Sequence, residues 1–287
     1  MASGKEIRTQ IASIKNTQKI TSAMEMVAAS KMKRAQERMA SSRPYAEKIA
    51  QIIGHLAYAN SEFKHPYMVK KDNIKTTCFI IVSSDRGLCG GLNNNLFRKL
   101  LKDFTSMKNA GKSIELVTLG KKATNFFKNS GIKIIASAID LGDKPHFNDL
   151  VGSIKVALDG FNDGSIDEVK IAYNTFESAI TQVPTVKAIV PMQAAEVDGM
   201  NHHWDYLYEP EPEVVLDELL TRYIESIVYQ ATVENSACEQ SARMVAMKSA
   251  TDNAGDMVDD LELIYNKARQ ASITQEISEI VSGASAV

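Results

Sequence analysis

The sequence predicts an α/β protein in which two long terminal helices pair as an antiparallel coiled coil around a Rossmann-like, mainly parallel α/β domain. Three observations predict it. Both ends of the chain are poor in proline and glycine, the middle alternates strand-like and helix-like segments, and the two ends carry opposite charge. The division that follows is a helix over 1–59, an α/β domain over 74–195 and a second helix over 211–287.

The first segment, Ser3 to about Ala59, reads as helix interrupted by Pro44 and Gly54 and rich in Ala, Met, Lys, Glu and Gln. Ser3 and Glu6 have capping-box spacing, so the helix is expected to begin there. Steps of four and three from Ile7 give Ile11, Ile14, Gln18, Thr21, Glu25, Ala28, Met32, Ala35 and Met39, an apolar stripe broken in its middle by polar residues. That break argues against an ordinary stable coiled coil.

The last segment, Pro212 to about Val281, has no proline after its start and Gly255 inside it. Pro212 suits a first-turn position, and Glu211, Glu213, Asp217 and Glu218 put negative charge where the helix dipole favours it. Leu216, Leu220, Ile224, Ile227 and Ala231 form one stripe; Ala254, Val258, Leu261, Tyr265 and Ala268 form another. A polar-faced rod of this length buries too little apolar surface to stand alone, so the two helices are expected to pair. Residues 5–48 hold ten Lys/Arg against four Asp/Glu, while 211–287 hold five against fourteen, which favours that pairing. The longer second helix leaves Ile273 to Val287 as an overhang of on the order of 20 Å.

Between the helices, Thr76–Ser83, Ser113–Leu119, Ile132–Ala136 and Glu168–Phe176 read as strands, with helical stretches after Asn93, Lys121 and Asn148. This is a βαβ series. Val183–Val190, bounded by Pro184 and Pro191, reads as a further strand at an edge.

Composition narrows the function classes. A 44% hydrophobic content and a formal net charge of −2 fit a soluble globular chain, and no apolar stretch approaches the roughly 20 residues that span a bilayer. The basic end mixes its charge with Met and Ala at helical spacing instead of exposed aromatics, which argues against nucleic acid as a partner. Cys78, Cys89 and Cys238 are odd in number and widely spaced, so buried thiols in a reducing compartment are expected. His55, His65, His146, His202 and His203 are scattered and read as solvent-exposed loop residues, with no metal-ligand spacing among them.

The sharpest local motif is Asp85-Arg-Gly-Leu-Cys-Gly-Gly-Leu92, a glycine-rich turn after the first strand. A phosphate loop is the obvious candidate there, but the Gly-Lys-Ser/Thr ending that reaches phosphate and magnesium is missing. A tight structural turn fits better, with Asp85 and Arg86 as candidates to meet a partner. No nucleophile elbow, His-Glu-x-x-His or framed carboxylate pair occurs, so no catalytic, cofactor-binding or metal residue is assigned.

Three stretches carry a family resemblance: IRTQIASIKNTQKITSAMEMVAASKMKRAQ near the start, SSDRGLCGGLNNNL in the middle, and ENSACEQSARMVAMKSATDNAGDMVDDLELIYNKARQASITQEISEIVSGA at the end. In these the chain resembles the gamma subunits of F-type ATP synthases of the bacterial type, over essentially its whole length. The resemblance implies a central rotor shaft that couples proton- or sodium-driven rotation of a membrane ring to ATP synthesis and hydrolysis at catalytic beta subunits. Its implied partners are the alpha and beta subunits of the catalytic hexamer, the epsilon subunit and the membrane c-ring, with no nucleic acid and no direct membrane insertion. Its implied place is peripheral, on the cytoplasmic face of the bacterial inner membrane, with no cofactor of its own.

Carried over by matching motif, Met24, Lys31, Lys33 and Arg34 resemble contacts to the catalytic subunits' acidic lever region. Arg243, Arg269, Gln270 and Thr274 resemble coupling positions near those subunits' inner loops, and Tyr206 and Glu209 resemble positions that meet the rotor ring. The competing readings are a non-motor coiled-coil scaffold and a nucleotide-dependent α/β enzyme.

Overall fold

The structure is a computed structural model that describes residues 4–58, 65–69, 71, 73–192 and 212–284. In chain order the elements are α1 (Gly4–Tyr58), β1 (Thr76–Val82), α2 (Leu92–Asn109), β2 (Ser113–Leu119), α3 (Lys121–Phe127), β3 (Lys133–Ala138), α4 (Phe147–Asn162), β4 (Glu168–Phe176), β5 (Gln182–Val190) and α5 (Pro212–Ala284). A 3-10 turn, Pro66–Met68, precedes β1. The expected cap Ser3 lies outside the described residues. Two compact units result, one formed by Met1–Ala29 with Arg243–Val287 and one formed by Ser30–Ala242.

In the larger unit the sheet order is β3-β2-β1-β4-β5. β1 pairs in parallel with β2 and β4, β2 in parallel with β3, and β5 runs antiparallel at the edge beside β4. Pro184 is tolerated on β5 because an edge strand has one side free of ladder bonds. Alternation along β1 divides the core into two layers. Phe79 and Ile81 join Leu96, Leu100 and Phe104 of α2 and Phe127 of α3 on one face, while Cys78, Ile80 and Val82 join Leu150, Ile154 and Phe161 of α4 on the other. Leu220, Ile224, Val228 and Ala231 of α5 pack into that second layer, as does Ile49 of α1. Each fully buried Leu, Ile, Val or Phe among them contributes about 1.5–3 kcal/mol, well above the surface ion pairs.

Polar side chains of α5 also close the end of β4. Asn235 Oδ1 accepts the Asn174 backbone N–H at 3.2 Å and its amide at 2.9 Å, and Glu234 Oε1 accepts the Phe176 N–H at 3.0 Å. Ser241 Oγ donates to the Ala179 carbonyl at 2.6 Å. The hairpin between β4 and β5 is thereby tied to one stretch of helix.

In the smaller unit the starts of α1 and the later turns of α5 run antiparallel. Thr21 stands opposite Thr251, their hydroxyls 2.7 Å apart, Gln18 faces Gly255, and Gly4 faces Tyr265. Within α1 the stripe read from the sequence is the inward face: Ile7, Thr21, Ala28 and Ala35 are buried and the other six positions are half-buried. The polar break in that stripe is accommodated by the Thr21–Thr251 hydrogen bond and by the missing side chain of Gly255, against which Gln18 lies. Opposite, Ala254 and Val258 are buried, and Leu261, Tyr265 and Ala268 are half-buried. From Arg269 to Ser282 every α5 residue is exposed. Among the described residues no helix is long and apolar enough to cross a membrane.

Candidate functional site

The turn after β1 folds back on itself. Leu88 and Gly90 take left-handed backbone angles, φ 64° and 56°, and the Leu92 N–H returns to the Cys89 carbonyl at 3.3 Å. Asn93, in the first turn of α2, is buried: its Oδ1 accepts the Ser84 N–H at 3.2 Å and its Nδ2 donates to Ser84 Oγ at 2.7 Å. Ser84 Oγ donates in turn to the Arg86 carbonyl at 2.7 Å. The Ser84 N–H at the mouth of this turn is therefore engaged by the protein itself, which supports the structural reading of the glycine run.

The Asp85 carboxylate is engaged within the chain. Its Oδ1 accepts the backbone N–H of Lys121 at 3.0 Å and of Asp140 at 3.0 Å, and its Oδ2 accepts that of Gly142 at 3.3 Å. One carboxylate thus gathers the loops that follow β1, β2 and β3 at the carboxyl end of the parallel sheet, where ligands of open α/β sheets often bind. A cleft of about 320 Å³ opens there, lined by Asp85, Arg86, Lys121, Asp140, Gly142, Asp143 and Glu239. Among its lining charges, Lys121 Nζ lies 2.6 Å from Asp140 Oδ1.

Lys31, Lys33 and Arg34 fall on one stretch of α1 in the larger unit and do different things. Lys33 and Arg34 are exposed, whereas Lys31 Nζ lies 2.6 Å from Asp143 Oδ2 in the β3–α4 loop. Arg38 Nη1 donates to the Asp143 carbonyl at 2.7 Å, and Gln240 Nε2 of α5 donates to Asp143 Oδ1 at 3.3 Å. Sequence reasoning did not single out Arg38, Asp143 or Gln240. The spacing of Lys31 and Arg38, two helical turns apart on one face, is the one signal that was available.

In the smaller unit Met24 and Arg243 are half-buried, and Arg269, Gln270 and Thr274 are exposed on successive turns. Thr274 Oγ1 donates to the Gln270 carbonyl at 2.9 Å. Tyr206 and Glu209 lie outside the described residues.

Two expectations about titratable groups meet different outcomes. The three cysteines are free and buried, as expected, and burial pushes the Cys78 thiol up to about 12 and raises Cys238 as well. The histidines were expected to be exposed loop residues; His146 is exposed, but His65 is buried with 6% of its surface accessible. Its Nδ1 accepts the Tyr67 N–H at 3.2 Å, capping the 3-10 turn, and its Nε2 lies 3.3 Å from Asp217 Oδ1 near the start of α5. Burial lowers its pKa, with Asp217 acting in the opposite direction.

A family model described as ATP synthase matches residues 3–287. The ATP synthase gamma chain of Vesicomyosocius okutanii subsp. Calyptogena okutanii (strain HA) is 63% identical over 283 residues, 99% of this chain and 98% of that one. The ATP synthase gamma chain of Ruthia magnifica subsp. Calyptogena magnifica is 63% identical over 287 residues, all of both chains. Among solved structures, a chain of the Euglena gracilis mitochondrial ATP synthase (OSCP, F1 and c-ring) has a TM-score of 0.69 at 18% identity, covering 99% of this chain and 94% of its own. A chain of the Tetrahymena thermophila mitochondrial ATP synthase central stalk and c-ring has a TM-score of 0.59 at 24% identity, covering 80% of this chain and 99% of its own. At those identities the solved structures speak for the fold, while the end-to-end sequence identity speaks for descent: the chain belongs to the ATP synthase gamma chain family.

Proposed function

We propose that this chain is the rotating central shaft of an F-type ATP synthase, a noncatalytic subunit that converts ion-driven rotation of a membrane ring into conformational work on catalytic subunits. The observation that carries the reading is the 63% identity with ATP synthase gamma chains across the full length. The fold fits it physically. A paired-helix rod with unlike faces presents a different surface to each of three surrounding catalytic sites as it turns, and so favours a different nucleotide affinity at each.

The partners on this reading are the alpha and beta subunits around the helices, and the epsilon subunit and c-ring near the α/β domain. Its place is the cytoplasmic face of a bacterial inner membrane, held there by partners. The division into 1–59, 74–195 and 211–287 follows these roles. Lys33 and Arg34, exposed on α1, are suited to attract an acidic lever on a catalytic subunit, and Met24 is assigned an apolar contact to the catalytic subunits. Arg243, Arg269, Gln270 and Thr274 are the polar positions suited to alternate between catalytic subunits, and Tyr206 with Glu209 is assigned to the rotor ring.

Catalysis is assigned to the partners. The charged cleft at the carboxyl end of the sheet supports this, because Asp85 is engaged by three backbone N–H groups and is not poised to activate water. Co-purification tests the reading: the chain expressed with a tag is expected to bring down a nucleotide-hydrolysing hexamer while showing no ATPase activity alone. Turnover by the isolated chain that disappears on mutation within Asp85–Leu92 would support the nucleotide-enzyme reading instead. Recovery as a free chain from cells containing the hexamer would support the scaffold reading.

A further inference from the structure

Asp143 uses all three of its side-chain and backbone oxygens to hold helices. Lys31 Nζ of α1 meets Oδ2 at 2.6 Å, Gln240 Nε2 of α5 meets Oδ1 at 3.3 Å, and Arg38 Nη1 of α1 meets the backbone carbonyl at 2.7 Å. The loop that carries it is fixed from the other side, since Asp85 accepts the N–H groups of Asp140 and Gly142. A continuous polar path therefore runs from β1 through Asp85 and the β3–α4 loop to both terminal helices. All of these residues belong to the larger unit.

We propose that Asp143 is a positioning residue that locks α1 and α5 to the parallel sheet, so that Lys31 and Arg38 act inside the chain and leave Lys33 and Arg34 to meet the catalytic subunits. This rests on the rotor reading. Lys31 is 35% exposed and Asp143 48%, so the pair adds little to folding stability. Its use is mechanical. The hydrophobic effect is non-directional, whereas hydrogen bonds lose strength steeply as their angle changes. A load that turns the helices against the sheet acts along the surface that separates them, and directional bonds anchored to one residue resist that displacement.

A charge swap in the complete synthase tests the assignment. Lys31→Asp, Asp143→Lys and the double variant are each introduced into a complex depleted of its own gamma subunit, and ATP-driven pumping of protons or sodium ions into vesicles is compared with ATP hydrolysis. Each single variant is expected to lower the ratio of pumping to hydrolysis, and the double variant to recover most of the loss. Loss with Lys31→Asp that persists in the double, with Asp143→Lys alone silent, would return Lys31 to the subunit interface and overturn the proposal. A ratio unchanged in all three would overturn it too. If a swapped chain fails to assemble, the neutral cycle of Lys31→Gln, Asp143→Asn and their double supplies the answer: non-additive loss supports the lock, and additive loss contradicts it. Failure of the rotor reading is distinct, because then the unaltered chain restores no pumping.

Discussion

The Asp85 carboxylate accepts the backbone N–H of Lys121, the first residue of α3, at 3.0 Å. That bond joins two loops whose strands already lie side by side, and the same carboxylate reaches the loop after β3. Hydrogen bonds from backbone N–H groups to an ionised carboxylate are among the stronger polar contacts, so replacement with alanine leaves donors without their acceptor. Asp85→Ala is expected to cost about 2–3 kcal/mol of unfolding free energy. Urea unfolding followed by far-ultraviolet circular dichroism checks it; a change near zero would show that water replaces the carboxylate at no cost.

Gly120 links β2 to α3 with φ at 101°, and a Cβ built there would lie 2.3 Å from the Ser83 carbonyl oxygen. Backbone cannot move aside as a flexible side chain does. Gly120→Ala is therefore expected to destabilise the sheet unit by roughly 3–5 kcal/mol, a strained dihedral adding to the clash. Gly111, with a similar sign of φ but open space around it, is the control, and Gly111→Ala is expected to cost about 1 kcal/mol.

His65 makes stability depend on pH in a defined direction. Burial lowers its pKa in the folded chain, the Asp217 carboxylate opposing this, while the unfolded chain titrates near the usual value of about 6.5. The unfolded state then binds the proton more readily. The contribution of neutral His65 is full above about 6.5 and falls away as pH drops through 6.5 toward the folded value. Geometry agrees, because protonating Nδ1 removes the acceptor of the Tyr67 N–H. Between pH 7.5 and 5 the parent chain is expected to lose more thermal stability than His65→Gln; parallel pH profiles would contradict this.

The sequence made the elements legible and left the contacts between them hidden. Both long helices, β2 and β4 match the reading at their ends closely, because proline, glycine and hydrophobic period act locally. β3 begins one residue later and runs two residues further than expected, Lys133–Ala138, where its pairing with β2 shifts register and the pattern cannot reveal it. The stripe in α1 was legible, and so was its polar break. That Thr21 would meet Thr251 was not, since a partner 230 residues away leaves no local mark. His65 was misread for the same reason: its burial comes from the 3-10 turn and from α5, neither of which is visible in the residues beside it. The tight turn at Asp85–Leu92 was legible, but the role of Asp85 in it was not, because the N–H groups it gathers lie in two later loops. The basic run Lys31, Lys33 and Arg34 was legible as charge, but its division between an inward and two exposed residues required Asp143.

The far end of α5 exposes Ile273 at 48%, Ile277 at 56% and Ile280 at 72%. Contiguous apolar surface of this kind marks a contact, and small or aliphatic side chains suit a bearing because they form no bond that must break on each turn. Removal of about the last ten residues is expected to weaken assembly or lower the rate while rotation persists. Loss of all torque in an assembled complex, seen in single-molecule recordings, would contradict the bearing.

The most direct test of the shaft reading is to watch the chain turn. The catalytic hexamer is fixed to a surface with a bead attached to the α/β domain through a single introduced cysteine, and ATP is added. Unidirectional rotation of the bead in three equal steps per turn is the predicted result. A bead that stays fixed, or merely fluctuates, while the same hexamer hydrolyses ATP would show that the chain does not rotate with catalysis and would contradict the account.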